Sequence, residues 1–505
     1  MSTAPSPAAR PSRSSPLAFH SIVSLAAVLL LAPLVALLVA NLPIDMTLIV
    51  VSAVVLILIV LWSAEATFYV LIFSMLLSPE FIVGGVAEAA STTGSRGITL
   101  RFDDFVIAMI AIAWLVRLAV FKEAGVLRRT RMSAPILSYI GVCLLATGVG
   151  VLFGRVNALT GFLFVAKYFE YVVIYFLVVN YVHDRQQVKR LVAATLITAA
   201  IISVVVLAQI PGGERVTAPF EGDRGEPNTL GGYLVLMIAL ALAFLSEARD
   251  ANSRLLWAGF AGMMTVPLVY TYSRTSWLGF VAMLMAVTLL CRTKTLFIVI
   301  VLAGLILLIV SPPEAILERT TYTITGRPAA TGAITIGGIT IEPSAAARLQ
   351  SWSIAAQAVP QQPLLGWGVT GFSFIDSQYP RTLIESGLVG FAMLVWMLWS
   401  LFTMGRDLLR VSTRSFDTAV ATGFLAALAG TIMHGIGANT FIIVRIMEPF
   451  WLLAGLTAVL LRLNRQEAAT VAAAQLGEAP PAATRAAPPV PRQATRRLTG
   501  RRDLA

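Results

Sequence analysis

Runs of about 20 apolar residues recur along most of this chain, and they restrict its fold more than any other feature. A helix of this length crosses a hydrocarbon core of roughly 30 Å. Continuous apolar runs do not suit the strands of a membrane barrel, in which polar and apolar residues alternate, so the runs predict helices. The chain is 57% hydrophobic and 12% charged, too apolar to cover a soluble globular surface with polar groups. The sequence therefore predicts an all-α polytopic membrane protein.

Hydropathy along the chain predicts about 14 transmembrane helices. Residues 1–20 are a predicted cytoplasmic leader, and residues 21–461 are the predicted membrane domain. Residues 462–505 are rich in alanine, proline and arginine, a composition typical of a disordered basic tail. The predicted spans are residues 21–40, 45–62, 66–85, 102–121, 134–153, 159–180, 188–209, 229–246, 254–272, 275–291, 295–311, 382–403, 417–437 and 441–461.

The basic residues predict the orientation, because lysine and arginine concentrate in cytoplasmic loops. If the N-terminus is cytoplasmic, every strongly basic short loop falls on the same side of the membrane. These loops are residues 122–131, 185–190, 249–254, 292–294 and 406–414. We therefore expect both termini in the cytoplasm, and the net charge of +11 does not indicate a nucleic-acid partner.

The longest polar segment between spans, residues 311–381, is predicted to be a large loop on the outer side. Several arginines share that side, against the usual bias, and therefore need another explanation. An anionic ligand is the simplest one, because the guanidinium fork matches phosphate oxygens. The polar residues predicted on or just below the outer face are Arg215, Arg224, Arg274, Arg348, Asp376, Arg381, Glu385, His434, Arg445 and Glu448.

Two of these arginines are predicted to lie beside helix starts. Arg274 sits at the tip of the hairpin YTYSRTSWLG, where Ser273 or Thr275 could cap the next helix. Arg224 lies in a polar loop that leads into a span for which Asn228 is a plausible N-cap. A helix N-terminus adds positive potential for a phosphate. The alternative for Arg274 is a side chain that reaches the lipid head groups.

Two pairs of opposite charges lie within predicted spans at a separation of three residues. Lys167 and Glu170 share a helix face, and Arg445 and Glu448 repeat the spacing. Both pairs are predicted to form ion pairs. With three histidines and no clustered carboxylates, no metal site is expected.

Five segments occur in one order along the C-terminal half: RGEPNTLGGY, SRTSWLGF, ARLQSW, PLLGWGVTGF and DSQYPRTLIESGLVG. Together they resemble the O-antigen ligase and O-antigen polymerase family. The resemblance implies a glycosyltransferase of the GT-C type at the periplasmic face of the bacterial inner membrane. It implies a polyprenyl-pyrophosphate-linked glycan as donor, a glycan acceptor, and neither metal nor cofactor. By motif, Arg224 and Arg274 match the arginines thought to hold the pyrophosphate, and Arg348 matches a further motif arginine.

One departure from the family pattern concerns the general base. Ligases of the family commonly carry a histidine where this chain has Asp376. An ionised aspartate can take a proton from an acceptor hydroxyl, and Arg381 or Arg348 could keep it ionised. His434 is the competing candidate for the base.

The departure at Asp376 favours a polymerase that joins repeat units into exopolysaccharide or O-antigen, with inversion at the anomeric carbon. Arg215, Tyr379, Arg381 and Glu385 are predicted to support the site. Membrane lipids and a chain-length regulator are further expected partners. Two alternatives stay open: a ligase that moves glycan onto lipid A core or protein, and a transporter of polysaccharide or lipid.

Overall fold

The computed structural model of the protein describes residues 64–77, 80–82, 99–101, 106–110, 128–213, 215–219, 225–291, 294, 334–336, 339–341 and 343–476. Eleven longer helices dominate these ranges. They are α1 (Ala64–Leu77), α2 (Ser133–Leu152), α3 (Ala158–Tyr181), α4 (Arg185–Leu207), α5 (Pro227–Glu247), α6 (Ala251–Tyr270), α7 (Arg274–Leu290), α8 (Pro343–Ala358), α9 (Gln378–Val411), α10 (Ser415–His434) and α11 (Val444–Leu476). Short 3₁₀ turns lie at Ile210–Gly212, Val359–Gln361 and Thr440–Ile442.

Two short antiparallel strand pairs accompany the helices in the described ranges. Strand β1 (Glu80–Ile82) pairs with β2 (Thr99–Arg101), and β3 (Ile334–Ile336) pairs with β4 (Ile339–Ile341). The second pair belongs to the long polar segment and immediately precedes α8. The described part of the fold is thus helical, with two short strand pairs that the sequence patterns did not predict.

Seven helices of the described ranges are long and apolar enough to cross a membrane: α2, α3, α4 with its 3₁₀ extension, α5, α9, α10 and α11. This result confirms a multi-pass helical membrane protein. Most predicted spans within the described ranges agree with a helix to within a few residues. The predicted leader, the spans at 21–40, 45–62 and 295–311, and most of the span at 102–121 lie outside the described residues.

Three boundaries were predicted wrongly. The span at 382–403 ends too early, because α9 continues to Val411. The span at 66–85 is too long, because α1 ends at Leu77 and a strand follows. Pro79 lies just beyond this end, and helices usually stop at or before the residue preceding a proline. The tail predicted as disordered from residue 462 is also wrong over its first part, because α11 continues to Leu476. The remaining tail lies outside the described residues.

Helix α5 is the centre of the bundle. It is apolar around its whole circumference, and almost all of its side chains from Thr229 to Ser246 are buried. It packs against α6, α7, α10 and α11. A Cβ on Gly231 would lie 2.1 Å from Ser276 Oγ, so a glycine is needed for α7 to approach this closely. The starts of α5 and α7 therefore lie side by side.

The basic loops gather at one end of the bundle. Arg185, at the start of α4, contacts Asp417 of α10 at 3.0 Å and Glu467 of α11 at 2.7 Å. Asp417 is completely buried. Arg131 binds Asp407 at 2.8 Å. These bonds also explain the helical start of the tail, because the extra turns of α11 place Glu467 beside Arg185.

Helix α9 is broken at Gly387, whose φ of 65° and ψ of −168° lie in a region almost restricted to glycine. Residues 363–372, here called the docking loop, pack against this break. Four backbone hydrogen bonds join loop and helix: Trp367 N to Ile384 O at 2.8 Å, Gly368 N to Glu385 O at 2.9 Å, Leu388 N to Pro363 O at 2.8 Å and Val389 N to Leu364 O at 3.2 Å. The loop thus satisfies backbone groups that the broken helix leaves without partners.

Candidate functional site

The candidate site lies at the end of the bundle opposite the basic loops, and its foundation is the start of α7. Ser273 caps this helix by accepting a hydrogen bond from Ser276 N at 3.2 Å. Tyr272, just before it, has a φ of 48°, a left-handed conformation that non-glycine residues rarely adopt. The connection from α6 to α7 is consequently very tight. Arg274 is the first residue of the helix, as the hairpin pattern predicted.

A second arginine stabilises this tight connection. Arg215 Nε donates a hydrogen bond to the Thr271 carbonyl at 3.0 Å, and its Nη2 lies 3.4 Å from the Tyr272 carbonyl. The side chain of Arg215 is largely exposed. The structure therefore brings Arg215 to the turn that carries Arg274. Arg224, the other motif arginine, lies outside the described residues.

Residues 435–443 form the glycine turn, which follows α10 and meets both α7 and α8. The carbonyl oxygen of Gly437 accepts hydrogen bonds from Arg348 Nε at 2.8 Å and from Thr275 Oγ1 at 3.4 Å. Arg348 belongs to the long polar segment, whereas Thr275 directly follows Arg274. One carbonyl group thus connects the two motif segments that contain Arg348 and Arg274.

Asp376 is fixed to the same turn by its two neighbours in sequence. The Ile375 carbonyl accepts a hydrogen bond from Asn439 Nδ2 at 2.7 Å. Ser377 Oγ donates to the Ile436 carbonyl. Asp376 itself is half-buried, and its carboxylate makes no hydrogen bond or ion pair with the described residues. The position of its backbone is therefore defined, and its carboxylate is available.

His434 is almost completely buried, with 1% of its surface exposed. Its Nδ1 lies 2.7 Å from Thr440 Oγ1, and its Nε2 lies 3.2 Å from Ser276 Oγ. The Ser276 hydroxyl donates to Ser273 Oγ at 2.8 Å, and Ser273 donates to Asn228 Oδ1 at 2.6 Å. Both ring nitrogens of the imidazole thus lie at hydrogen-bond distance from a hydroxyl group. His434 thereby joins the starts of α5 and α7 to the glycine turn.

Three of the predicted supporting residues contact other partners than Asp376. Arg381 Nε binds Glu385 Oε1 at 3.0 Å, and both side chains are buried. Glu385 Oε1 also accepts from Thr370 N of the docking loop at 3.3 Å. The hydroxyl of Tyr379 donates to the Ile432 carbonyl. These contacts hold the elements of the site together. Arg381 was expected to keep Asp376 ionised, but in the structure it forms its ion pair with Glu385.

Of the two ion pairs predicted within spans, the one between Lys167 and Glu170 is confirmed, and the one between Arg445 and Glu448 stays a prediction. Lys167 and Glu170 form the predicted ion pair, with 3.0 Å between Nζ and Oε2. Arg445 is buried and donates from Nη1 to the Pro219 carbonyl at 3.1 Å. It thereby holds the segment that leads toward residue 224.

The hydroxyls and amides that connect the site were not identified as functional from the sequence. Asn439, Thr440 and Ser276 are the main examples. Asn439 and Thr440 are neighbours in the chain, whereas Ser276 lies in a distant segment, so only the fold brings Ser276 and Thr440 to the same imidazole. Within the described part of the chain, no group of three or more His, Cys, Asp or Glu residues could hold a metal ion.

Comparison with known proteins agrees with the motif analysis. A family model described as O-antigen ligase matches residues 260–395, about a quarter of the chain. The matched stretch contains SRTSWLGF, ARLQSW, PLLGWGVTGF and DSQYPRTLIESGLVG, whereas RGEPNTLGGY precedes it. The match confirms the resemblance to the O-antigen ligase and polymerase family, and it indicates a glycosyltransferase-like membrane enzyme with lipid-linked glycan substrates. A search among curated proteins found no match.

Proposed function

We propose that this protein polymerises oligosaccharide repeat units carried on polyprenyl pyrophosphate into exopolysaccharide or O-antigen. One observation carries the proposal. The carbonyl of Gly437 connects Arg348 to the start of α7, while the residues on both sides of Asp376 bind the same glycine turn. Cationic groups suited to a pyrophosphate thus share one end of the bundle with an available carboxylate.

The pyrophosphate of the donor would bind at the start of α7. Arg274 and Arg224 provide the positive charge, and the α7 N-terminus adds positive potential. Negative charge grows on the pyrophosphate as the glycosidic bond breaks, so these groups stabilise the transition state more than the ground state. Arg348 and Arg215 extend the same basic surface.

The acceptor hydroxyl would be activated by Asp376. Its carboxylate takes the proton while the hydroxyl oxygen attacks the anomeric carbon, and the polyprenyl pyrophosphate leaves. Attack on the side opposite the leaving group inverts the configuration at this carbon. No metal is needed in this scheme.

We assign His434 a positioning role and not that of the base. It is buried and both ring nitrogens lie at hydrogen-bond distance from hydroxyl groups. These bonds hold the start of α7 against the glycine turn, so His434 acts on the reaction through the placement of Arg274 and Asp376.

The matched family model is described as O-antigen ligase, and this description favours a second candidate, transfer of glycan to lipid A core or protein. The reactions share donor and chemistry and differ in the acceptor. A purified polyprenyl-pyrophosphate oligosaccharide, incubated with the protein in detergent or liposomes, discriminates between them. Growth in repeat number on the carrier supports polymerase, whereas capture of glycan only by an added lipid A core or protein acceptor supports ligase.

The pyrophosphate site is tested by Arg274→Ala, which we expect to abolish glycan transfer while the protein still inserts into the membrane. Arg274→Lys keeps the charge but loses the planar fork, so we expect partial activity. Arg254→Ala is the matched control, because Arg254 lies at the other end of the bundle and contacts the Ala248 carbonyl. Normal product from Arg274→Ala would disprove the pyrophosphate role.

The complete chain would form about 14 spans of the GT-C type, with both termini in the cytoplasm of the bacterium. The ion pairs among the basic loops support this orientation, since they assign those loops to a single end. The candidate site would then face the periplasm, where a chain-length regulator could contact the outer segment.

A further inference from the structure

Asn439 is the most unusual polar residue of the glycine turn. It precedes the 3₁₀ turn Thr440–Ile442, at a position where an asparagine side chain ordinarily caps the following backbone amides. Here the side chain makes no such cap. Phe441 N instead binds Gln378 Oε1 at 2.9 Å. The amide of Asn439 is therefore directed away from its own turn, toward the segment that carries Asp376.

The nitrogen and the oxygen of this amide differ in their hydrogen bonding. Its nitrogen Nδ2 donates to the Ile375 carbonyl at 2.7 Å, which also fixes the assignment of nitrogen and oxygen, because a carbonyl cannot donate. Its oxygen Oδ1 is buried and has no hydrogen-bond partner among the described residues. Asn439 is 7% exposed. A buried amide oxygen without a donor is destabilising, and such atoms call for an explanation.

The position of the amide suggests what donates to Oδ1. Asn439 holds the residue immediately before Asp376, the proposed base, so any group that Asp376 deprotonates lies in its neighbourhood. Phe374, two residues before Asp376, is 39% exposed, so this stretch of the chain reaches the surface of the protein. Sugars present many hydroxyl donors, and an asparagine oxygen is a suitable acceptor for one of them.

We infer that Asn439 is a substrate-binding residue whose Oδ1 accepts a hydrogen bond from a hydroxyl group of the glycan acceptor. The inference rests on the proposed glycosyl transfer and adds a contact that selects and orients the acceptor. Because the donor pyrophosphate binds at α7, this contact concerns the acceptor alone. Loss of the amide should therefore weaken binding of the acceptor and leave binding of the donor unchanged.

The test uses the full-length protein with the lipid-linked repeat unit as donor and the same oligosaccharide, released from its lipid, as acceptor. We expect Asn439→Leu to raise the KM for the acceptor about tenfold, the factor for one neutral hydrogen bond in a buried site. The KM for the donor should not change. Asn464→Leu is the control, because Asn464 is similarly buried but binds Asp417 at the other end of the bundle. Asn439→Ser replaces the leucine variant if the latter does not reach the membrane.

Acceptors that each lack one hydroxyl give the decisive measurement. For the wild-type protein, one deoxy acceptor should bind about tenfold more weakly than the complete acceptor. For Asn439→Leu, the same deoxy acceptor should bind as tightly as the complete acceptor. If every deoxy acceptor affects both proteins equally, or if Asn439→Leu lowers kcat without changing the acceptor KM, the inference is overturned. Absence of any transfer by the wild-type protein would instead overturn the proposed function, and the inference with it.

Discussion

The docking of residues 363–372 against the broken helix α9 leads to a quantitative prediction for Gly387→Ala. A Cβ at this position would lie 2.3 Å from the Leu364 carbonyl oxygen and 2.7 Å from Gly366 N. These are backbone atoms, so no side-chain movement relieves the clash. The φ of 65° adds strain of about 1–3 kcal/mol for alanine. Release of the loop loses four backbone hydrogen bonds, each worth about 1 kcal/mol net.

From these values we expect Gly387→Ala to destabilise the docked state relative to the undocked state by about 3 kcal/mol. The equilibrium between the two states then shifts toward the undocked state by on the order of 100-fold. Hydrogen exchange followed by mass spectrometry measures this shift directly, because the amides of Trp367, Gly368, Leu388 and Val389 are protected only while the loop is docked. Their exchange should accelerate by a similar factor. Glycan transfer should fall with it, since the docking loop precedes Asp376 in the chain.

Gly262→Ala is the matched control for this experiment. Gly262 lies in α6, and a Cβ there would meet nothing within 4 Å, so alanine should be neutral or slightly stabilising. Exchange at the four amides should remain as in the wild type. Unchanged protection in Gly387→Ala would refute the docking argument, and equal acceleration in both variants would show that the effect is not local.

Three further predictions concern polar groups. Ser276→Ala removes the hydroxyl that lies beside His434 Nε2 and should lower thermal stability in detergent by about 1–3 kcal/mol; a melting temperature equal to wild type would contradict a stabilising contribution of this contact. Arg381→Ala should cost about 3–5 kcal/mol, because Glu385 is left buried without its ion-pair partner, whereas the double variant with Glu385→Ala should recover part of this loss. Strictly additive effects would show that the pair is not coupled. Burial and two nearby arginines lower the pKa of His183 from 6.5, so the unfolded chain takes up the proton first as the pH falls. The contribution of His183 to stability should be fully present above its ordinary pKa and decrease as the pH falls below that value. His183→Gln should flatten this decrease in a series of melting temperatures from about pH 8 to about pH 5.

The helices of the described bundle could be predicted from the sequence because lipid imposes a simple rule. A long apolar run must be a helix, and its ends lie near the first polar residues. This rule located α2 to α7 and α10 to within a few residues. It failed at Leu476, where the helix continues because Glu467 bonds to Arg185, and no local pattern contains that distant partner.

The site was predictable only in part, for a related reason. Arginines on the outer side stand out by charge bias, and Arg274 and Arg348 were identified in this way. Asn439 and Ser276 carry no such signal, because their roles depend on contacts across 64 and 158 positions of sequence. Gly387 likewise gives no signal on its own, because the residues that require a glycine there, Leu364 and Gly366, lie in a different segment of the chain.

The contacts of Arg185 have a consequence for biosynthesis. This residue begins α4, yet Asp417 and Glu467, its partners, are 232 and 282 positions later in the chain. A ribosome delivers α4 to the membrane long before either carboxylate exists. The guanidinium therefore has neither carboxylate partner until α10 and α11 are inserted. A chain truncated before α11 would lack Glu467 and would leave Arg185 with Asp417 as its remaining carboxylate partner among these two.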